Sequence, residues 1–374
     1  MKSVRYGVIG CGMMGQEHLR NLALIDGAEV VAIYEPNAEM RAACQALVPD
    51  VQFCDSVEAI CRFSELDALV VASPNHCHAD QLLTLLAQTS LPILIEKPLV
   101  TRLDQVEPIR EAVAQHPAPV WVAMEYRYMP PVAQLRQHLV AGDAGPVKML
   151  SIREHRFPFL PKVGDWNRFN ANTGGTLVEK CCHFFDLMRL LLESEAVSVM
   201  ASAGQDVNHL DEQYEGETPD ILDNAYVIVN FASGQRAMLE LCMFAEGARY
   251  QEEISVVGPK AKVECLVPGP GRFWPTHLGE PPTPKVIVSS RAPKGPVESD
   301  VVVDPNLLEA GDHNGSTYYQ HLGFFKAITE GVPVDVTVED GLKAVVLGLA
   351  AQHSARSGQA VRLTNQGYSF EPAG

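Results

Sequence analysis

With 374 residues the chain is long enough for two domains, each with a sizeable core. A formal net charge of −17 argues against nucleic acid and anionic membrane partners, because both need a basic face. The nine cysteines are scattered, with no CxxC spacing, so neither a metal site nor a disulfide framework is predicted. No stretch is long and apolar enough to span a membrane, and a strand pattern that starts almost at once leaves no room for a signal peptide. The expectation is a cytoplasmic protein with reduced thiols.

The first apolar run, residues 4–10, leads straight into Gly10-Cys11-Gly12-Met13-Met14-Gly15. A helical pattern follows over 15–25, then a strand over 29–34 that ends on Glu35. Strand, glycine turn, helix, strand and acid form the order a dinucleotide requires. Gly10 serves the tight turn, Gly12 lets a pyrophosphate approach the backbone, and Gly15 lets the helix pack on the sheet. The helix N-terminus offers free N–H groups and a positive dipole end to the phosphates. Glu35 lies twenty residues past Gly15, where a carboxylate accepts from ribose hydroxyls and repels a 2′-phosphate. NAD is therefore favoured. Tyr34 and Arg41 lie close enough to reshape the ribose site, which leaves NADP open.

Helices at 37–47, 78–88 and 102–115 alternate with strands at 67–72, 92–96 and 120–124. Runs such as Ala68-Leu69-Val70-Val71-Ala72 suit a parallel sheet covered on both faces. Ligands in such sheets bind at the carboxyl ends of strands. Ser73, Pro74, Asn75 and His78 follow one strand directly, and Glu96-Lys97-Pro98 ends the next. Pro98 restricts where Lys97 points. Desolvation and a nearby positive nicotinamide are expected to lower the pKa of Lys97.

After Met124 the character changes. A helix is predicted over 131–141, a strand over 147–154, a loop over 157–175 and a long helix over 176–192. Strands at 196–203, 224–231, 236–244, 250–257 and 261–265 follow without helices between them, which predicts an antiparallel or mixed sheet. Residues 268–300, rich in Pro and Gly, read as a long excursion before helices at 317–330 and 338–354. On the 176–192 helix, Glu179 and His183 are four apart and share a face, with Asp186 three further on. His183 is the best general acid–base candidate, and Glu179 orients or charge-stabilises it. One histidine does not make the two-histidine face of a zinc site.

Together the Gly10–Gly15 loop, Ser73-Pro74-Asn75, Glu96-Lys97-Pro98 and Gly174-Gly175 leading into Glu179 and His183 resemble the glucose–fructose oxidoreductase / inositol dehydrogenase / rhizopine-catabolism (Gfo/Idh/MocA) family, over almost the full length. The resemblance implies an α/β protein: a Rossmann domain over 1–124, and an α+β domain over 125–374 with a large, mostly antiparallel open sheet used for homodimer or homotetramer formation. The resemblance also implies a C-terminal helix that packs back on the Rossmann domain. It also implies that Lys97 and His183 are catalytic and that Glu179 stands where many members have Asp. Arg127, in a segment that often lines the substrate cleft, and Trp166, in the loop before the helix, become candidate substrate contacts. Trp166 and its loop neighbour Arg168 are the weaker of these contacts, and Asp312, His313 and the stretch from Tyr318 to His321 are candidates for closing the pocket. The expected activity is reversible NAD(P)-dependent hydride transfer with a secondary alcohol of a sugar, cyclitol or related polyol. The alternatives are a non-catalytic NAD-binding regulator or scaffold, and a reductase of another carbonyl or imine.

Overall fold

The computed structural model describes residues 3–373. The N-terminal part alternates strands and helices: β1 (Val4–Ile9), α1 (Met13–Leu22), β2 (Ala28–Tyr34), α2 (Ala38–Leu47), β3 (Gln52–Cys54), α3 (Val57–Cys61), β4 (Ala68–Val71), α4 (His78–Gln88), β5 (Ile93–Glu96), α5 (Val106–Gln115) and β6 (Val120–Ala123). The strands form one parallel sheet in the order β3-β2-β1-β4-β5-β6. Every residue of β4, β5 and β6 is buried, as strands covered on both faces require. The order reverses between β1 and β4. That switch point opens a crevice at the strands' carboxyl ends, where the glycine turn and the Ser73-Pro74-Asn75 turn face each other.

The second part holds α6 (Pro130–Val140), β7 (Met149–His155), α7 (Asn170–Thr173), α8 (Thr176–Glu179), α9 (Cys182–Leu192), β8 (Ala196–Gly204), β9 (Asn224–Phe231), β10 (Arg236–Cys242), β11 (Glu252–Val257) and β12 (Ala261–Val267). It continues with β13 (Lys285–Arg291), β14 (Lys294–Asp300), α10 (Pro305–Ala310), α11 (Ser316–Glu330), α12 (Val338–Ser357), β15 (Val361–Thr364) and β16 (Ser369–Pro372). Its ten strands run β14-β13-β12-β11-β7-β10-β9-β8-β15-β16, and only the β7–β10 pair is parallel. β9 shows why one face is covered and the other open: Ala225, Val227, Val229 and Phe231 are buried, while Tyr226 and Ile228 between them are exposed. α9 and α12 lie against the buried face. α11 returns to the first sheet, where Phe324 packs on Tyr6 and Trp121.

Three differences from the sequence reading matter. β3 and α3 were not expected, and the 268–300 excursion contains the β13–β14 hairpin. In β14 every residue is exposed, so no buried/exposed alternation marks it. The expected helix over 176–192 is two helices, broken at Lys180-Cys181. There the Cys181 N–H reaches back to the Thr176 carbonyl at 3.4 Å, and the Glu179 carbonyl is left to two side chains, the ammonium of Lys97 and the thiol of Cys182.

Candidate active site

The switch-point crevice is a cavity of about 790 Å³ that runs from the glycine turn to Lys97 and Glu179. Gly10, at φ +91, makes the turn out of β1 in a conformation most side chains resist. Gly15 is needed for close approach, since a Cβ there would lie 2.2 Å from the Gly10 carbonyl oxygen. A Cβ on Gly12 would meet nothing within 4 Å, so the backbone is open to the cavity at the start of α1. Glu35 accepts from the Cys11 N–H at 2.6 Å and the Asn37 N–H at 2.7 Å, one on each carboxylate oxygen. Each oxygen keeps a lone pair for a ribose hydroxyl. An open backbone at a helix N-terminus beside a held carboxylate fits a dinucleotide.

Met13, Met14, Ser73, Pro74, Asn75, His78 and Glu96 line the same cavity, as do Gly10, Gly12 and Glu35. Cys11 and Gly15 do not: the Cys11 side chain is buried, and its contribution is the amide held by Glu35. Arg41 is not among the lining residues either, and its guanidinium stacks on Phe53.

Lys97 and His78 are fixed from behind. The His78 ring lies between the Pro98 carbonyl, 2.8 Å from Nδ1, and the Ser73 carbonyl, 2.9 Å from Nε2, and burial favours its neutral form, which donates to one of them. Glu96 turns inward to His18 at 2.9 Å, which contacts His321 at 2.8 Å. Lys97 Nζ donates to the Glu179 carbonyl at 3.2 Å. Burial works against the Lys97 charge. The surrounding groups, Cys182, Glu96, Glu125 and Glu179, outweigh it, and Lys97 sits above its ordinary value. The Cys182 thiol is itself pushed up to about 12 by burial and is neutral, so the carboxylates carry this effect. The sequence reading expected the opposite direction, having counted desolvation and the cofactor but not these acids. Lys97 is a cationic hydrogen-bond donor in this structure.

His183 is the complement. Burial, then the charges of Lys97, Lys180, His313 and Arg156, hold it well below its ordinary value, so its ring is neutral. The ring stacks on Tyr126 with centroids 4.2 Å apart and planes within 7°, which fixes its plane. Nδ1 is buried without a hydrogen-bond partner, and Nε2 lies 3.6 Å from Glu125 Oε1. Glu179 lines the cavity with Oε2 unpartnered, and burial raises its carboxyl despite Lys162, Lys97, Arg156 and Arg168. The break between α8 and α9 puts Glu179 at the cavity wall and His183 behind it.

Trp166 lines the cavity, edge-on to His76. Arg127 does not. Its guanidinium grips Asp186 through Nε at 2.6 Å and Nη2 at 2.5 Å, and donates to the Asp335 carbonyl at 2.8 Å. Arg168 pairs with Glu212, and His321 sits behind Glu96 with His18. Two groups escaped the sequence reading. Lys162 faces the cavity from the loop that also carries Trp166 and Arg168. Glu125 opens the Glu125–Tyr128 segment, in which the sequence points to a role for Arg127 alone.

The sequence matches two family descriptions that together span most of the chain. These are an oxidoreductase family with an NAD-binding Rossmann fold, over residues 4–124, and that family's C-terminal alpha/beta domain, over 136–363. An inositol 2-dehydrogenase of Rhizobium meliloti is 30% identical over 70% of this chain and 75% of its own length. A myo-inositol 2-dehydrogenase of Thermotoga maritima is 26% identical over 96% of this chain and 98% of its own. Among solved structures, levoglucosan dehydrogenase with NADH and levoglucosan superposes with a TM-score of 0.79 at 19% identity, covering 96% of this chain and 99% of that one. With its glycine turn, parallel sheet and open mixed sheet, the chain belongs to the Gfo/Idh/MocA family of NAD-binding oxidoreductases.

Proposed function

We propose that the chain reversibly oxidises a secondary alcohol of a cyclitol, sugar or related polyol. One observation carries this reading: buried acceptors without partners gather behind the cationic Lys97. They are Glu179 Oε2 and Nδ1 of His183. Buried acceptors left unpaired are costly, so such a site suits a ligand with several hydroxyl donors. The inositol dehydrogenases among its relatives act on a ligand of that kind.

When bound, NAD accepts the hydride at its nicotinamide ring. Lys97 donates to the reacting oxygen and stabilises its growing negative charge. His183, neutral and fixed on Tyr126, takes the hydroxyl proton. Glu179 accepts from a neighbouring hydroxyl and so sets which carbinol faces the nicotinamide. Trp166 and Lys162 close the outer wall.

A panel of cyclitols and sugars, assayed with NAD and with NADP by absorbance of the reduced nicotinamide, tests the reading. Turnover of at least one polyol is expected, with NAD preferred because Glu35 faces the ribose. Tight NADH binding without oxidation of any polyol points to the regulator. Reduction of imines or other carbonyls alone points to the reductase.

The open face of the ten-stranded sheet is the proposed oligomer contact. Met200, Ile228 and Met238 are exposed and adjacent across the strands, with Tyr226 beside them. Light scattering after gel filtration should report a dimer or tetramer, and Ile228→Glu should shift it toward monomer with unchanged circular dichroism. The nine cysteines are all free thiols, in keeping with a reducing, cytoplasmic compartment. No helix among the described residues is long and apolar enough to cross a membrane.

A further inference from the structure

A proton released beside His183 has no direct way out, because His183 is 2% exposed and Glu125 is 1% exposed. Glu125 opens the turn that follows β6, and neither of its carboxylate oxygens has a hydrogen-bond partner. Its Oε1 lies 3.6 Å from His183 Nε2 on one side and 3.9 Å from His313 Nε2 on the other. Both gaps exceed a hydrogen bond by only about half to one ångström, within reach of a small side-chain movement. The far nitrogen of His313, Nδ1, lies 2.8 Å from Glu17, and the His313 side chain is 22% exposed. The three groups thus form a line from the buried ring to the surface.

We propose that Glu125 takes the substrate proton from His183 and passes it to His313, so that these side chains form the proton exit of the dehydrogenation. The inference rests on the alcohol-oxidising reading above. In the forward step the alcohol O–H bond breaks and its proton goes to His183, while the carbinol hydride leaves for the nicotinamide. One N–H proton of the resulting imidazolium moves to the Glu125 carboxylate. His313 gives its own proton to water and takes that of Glu125. No electrons move along the relay.

The electrostatics agree with that direction. Glu125 is faced by Glu96 and Lys97 from the end of β5, by Cys182 and His183 from α9, and by His313 from the loop before α11. Burial and the Glu96 charge push it up to about 7, against His313 and Lys97. His183 disfavours the protonated form, so a proton arriving there is handed on. His313 loses to burial but gains from Glu17 and Glu125, and is held up at about 9. Glu17 in turn is held at about 2 by His313, Thr317 and the Asp312 N–H, which outweigh its burial.

The carboxylate is the accepting form, so kcat for oxidation should rise as pH passes upward through about 7. Glu125→Gln should lower kcat about 100-fold with little change in KM, and that limb of the pH profile should vanish. Glu125→Asp should restore part of the rate. His313→Asn should lower kcat and be rescued by added imidazole, which keeps the idea testable if the Glu125 variants fold poorly. Glu125→Gln raising KM with kcat and the pH limb unchanged would overturn it, and would make Glu125 a substrate ligand. Infrared spectra add a readout free of turnover: a protonated-carboxyl band titrating near 7 that Glu125→Gln removes, while the band of Glu252, also pushed up to about 7, persists. If no polyol is oxidised yet that band behaves as described, the substrate reading falls and the proton acceptor stands. If the band is missing, the relay falls whatever the substrate.

Discussion

Replacing Lys97 with methionine should lower kcat by about 10²–10³-fold, the scale of losing one preorganised donor to a developing oxyanion. NAD affinity should change far less, because the glycine turn and Glu35, the proposed nucleotide contacts, line the cavity without touching Lys97. The expectation follows from three facts. Lys97 directly follows β5 (Ile93–Glu96), a strand buried throughout. Its ammonium is aimed by the carbonyl that the α8–α9 break leaves to it. The acids around it keep it charged. A charged, aimed donor supplies most where charge builds only in the transition state. Lys97→Arg should not restore the rate, since a planar fork cannot occupy the place of a compact ammonium against one carbonyl. Pre-steady-state hydride transfer with NAD binding titrated separately is the measurement. Full turnover in Lys97→Met would sink both the donor role and the scheme built on it.

The cofactor half was legible because its demands are local. A tight turn, a close helix–sheet contact and an acid at the end of β2 each ask for a residue type at a fixed spacing, and Gly10, Gly15 and Glu35 answer them. The substrate half was only partly legible, because its properties arise between segments far apart in sequence. Spacing put Glu179 and His183 on one helical face. Nothing in residues 176–192 shows that a lysine 82 positions earlier takes the Glu179 carbonyl, or that the helix breaks there. The sign of the Lys97 shift was missed for the same reason: Glu125 and Glu179 lie beside it only once the domains are packed. Glu125 itself is unremarkable in sequence, and its isolation between two histidines is a tertiary property. β14 was invisible because a strand exposed on both faces carries no alternation to detect.

Arg127, expected as a substrate contact, lies outside the cavity in a buried ion pair, and its partner offers the largest expected change in stability. Asp186→Ala should destabilise the fold by about 3–5 kcal/mol, the cost of leaving a buried guanidinium without its carboxylate. Arg127 is 7% exposed and Asp186 is fully buried, and the bidentate pair joins the turn after β6 to α9. Asp340 on α12 approaches the same guanidinium at 3.5 Å and also binds Arg189 at 3.1 Å, so three segments meet there. The double variant Arg127→Met with Asp186→Leu should recover much of the loss, because apolar replacements of similar volume often match a buried ion pair. Urea unfolding should report this as a shift in midpoint with little change in slope. The clamp also bears on activity. Arg127 lies two residues after Glu125, and Asp186 three after His183, so the pair ties together the two segments that carry the proposed base and proton acceptor. In the double variant kcat should therefore stay depressed even where stability returns, and the substrate KM should move less than kcat. A substrate-binding arginine predicts the reverse: Arg127→Met alone would raise KM steeply in a protein of unchanged stability. That outcome would move Arg127 from the scaffold to the pocket.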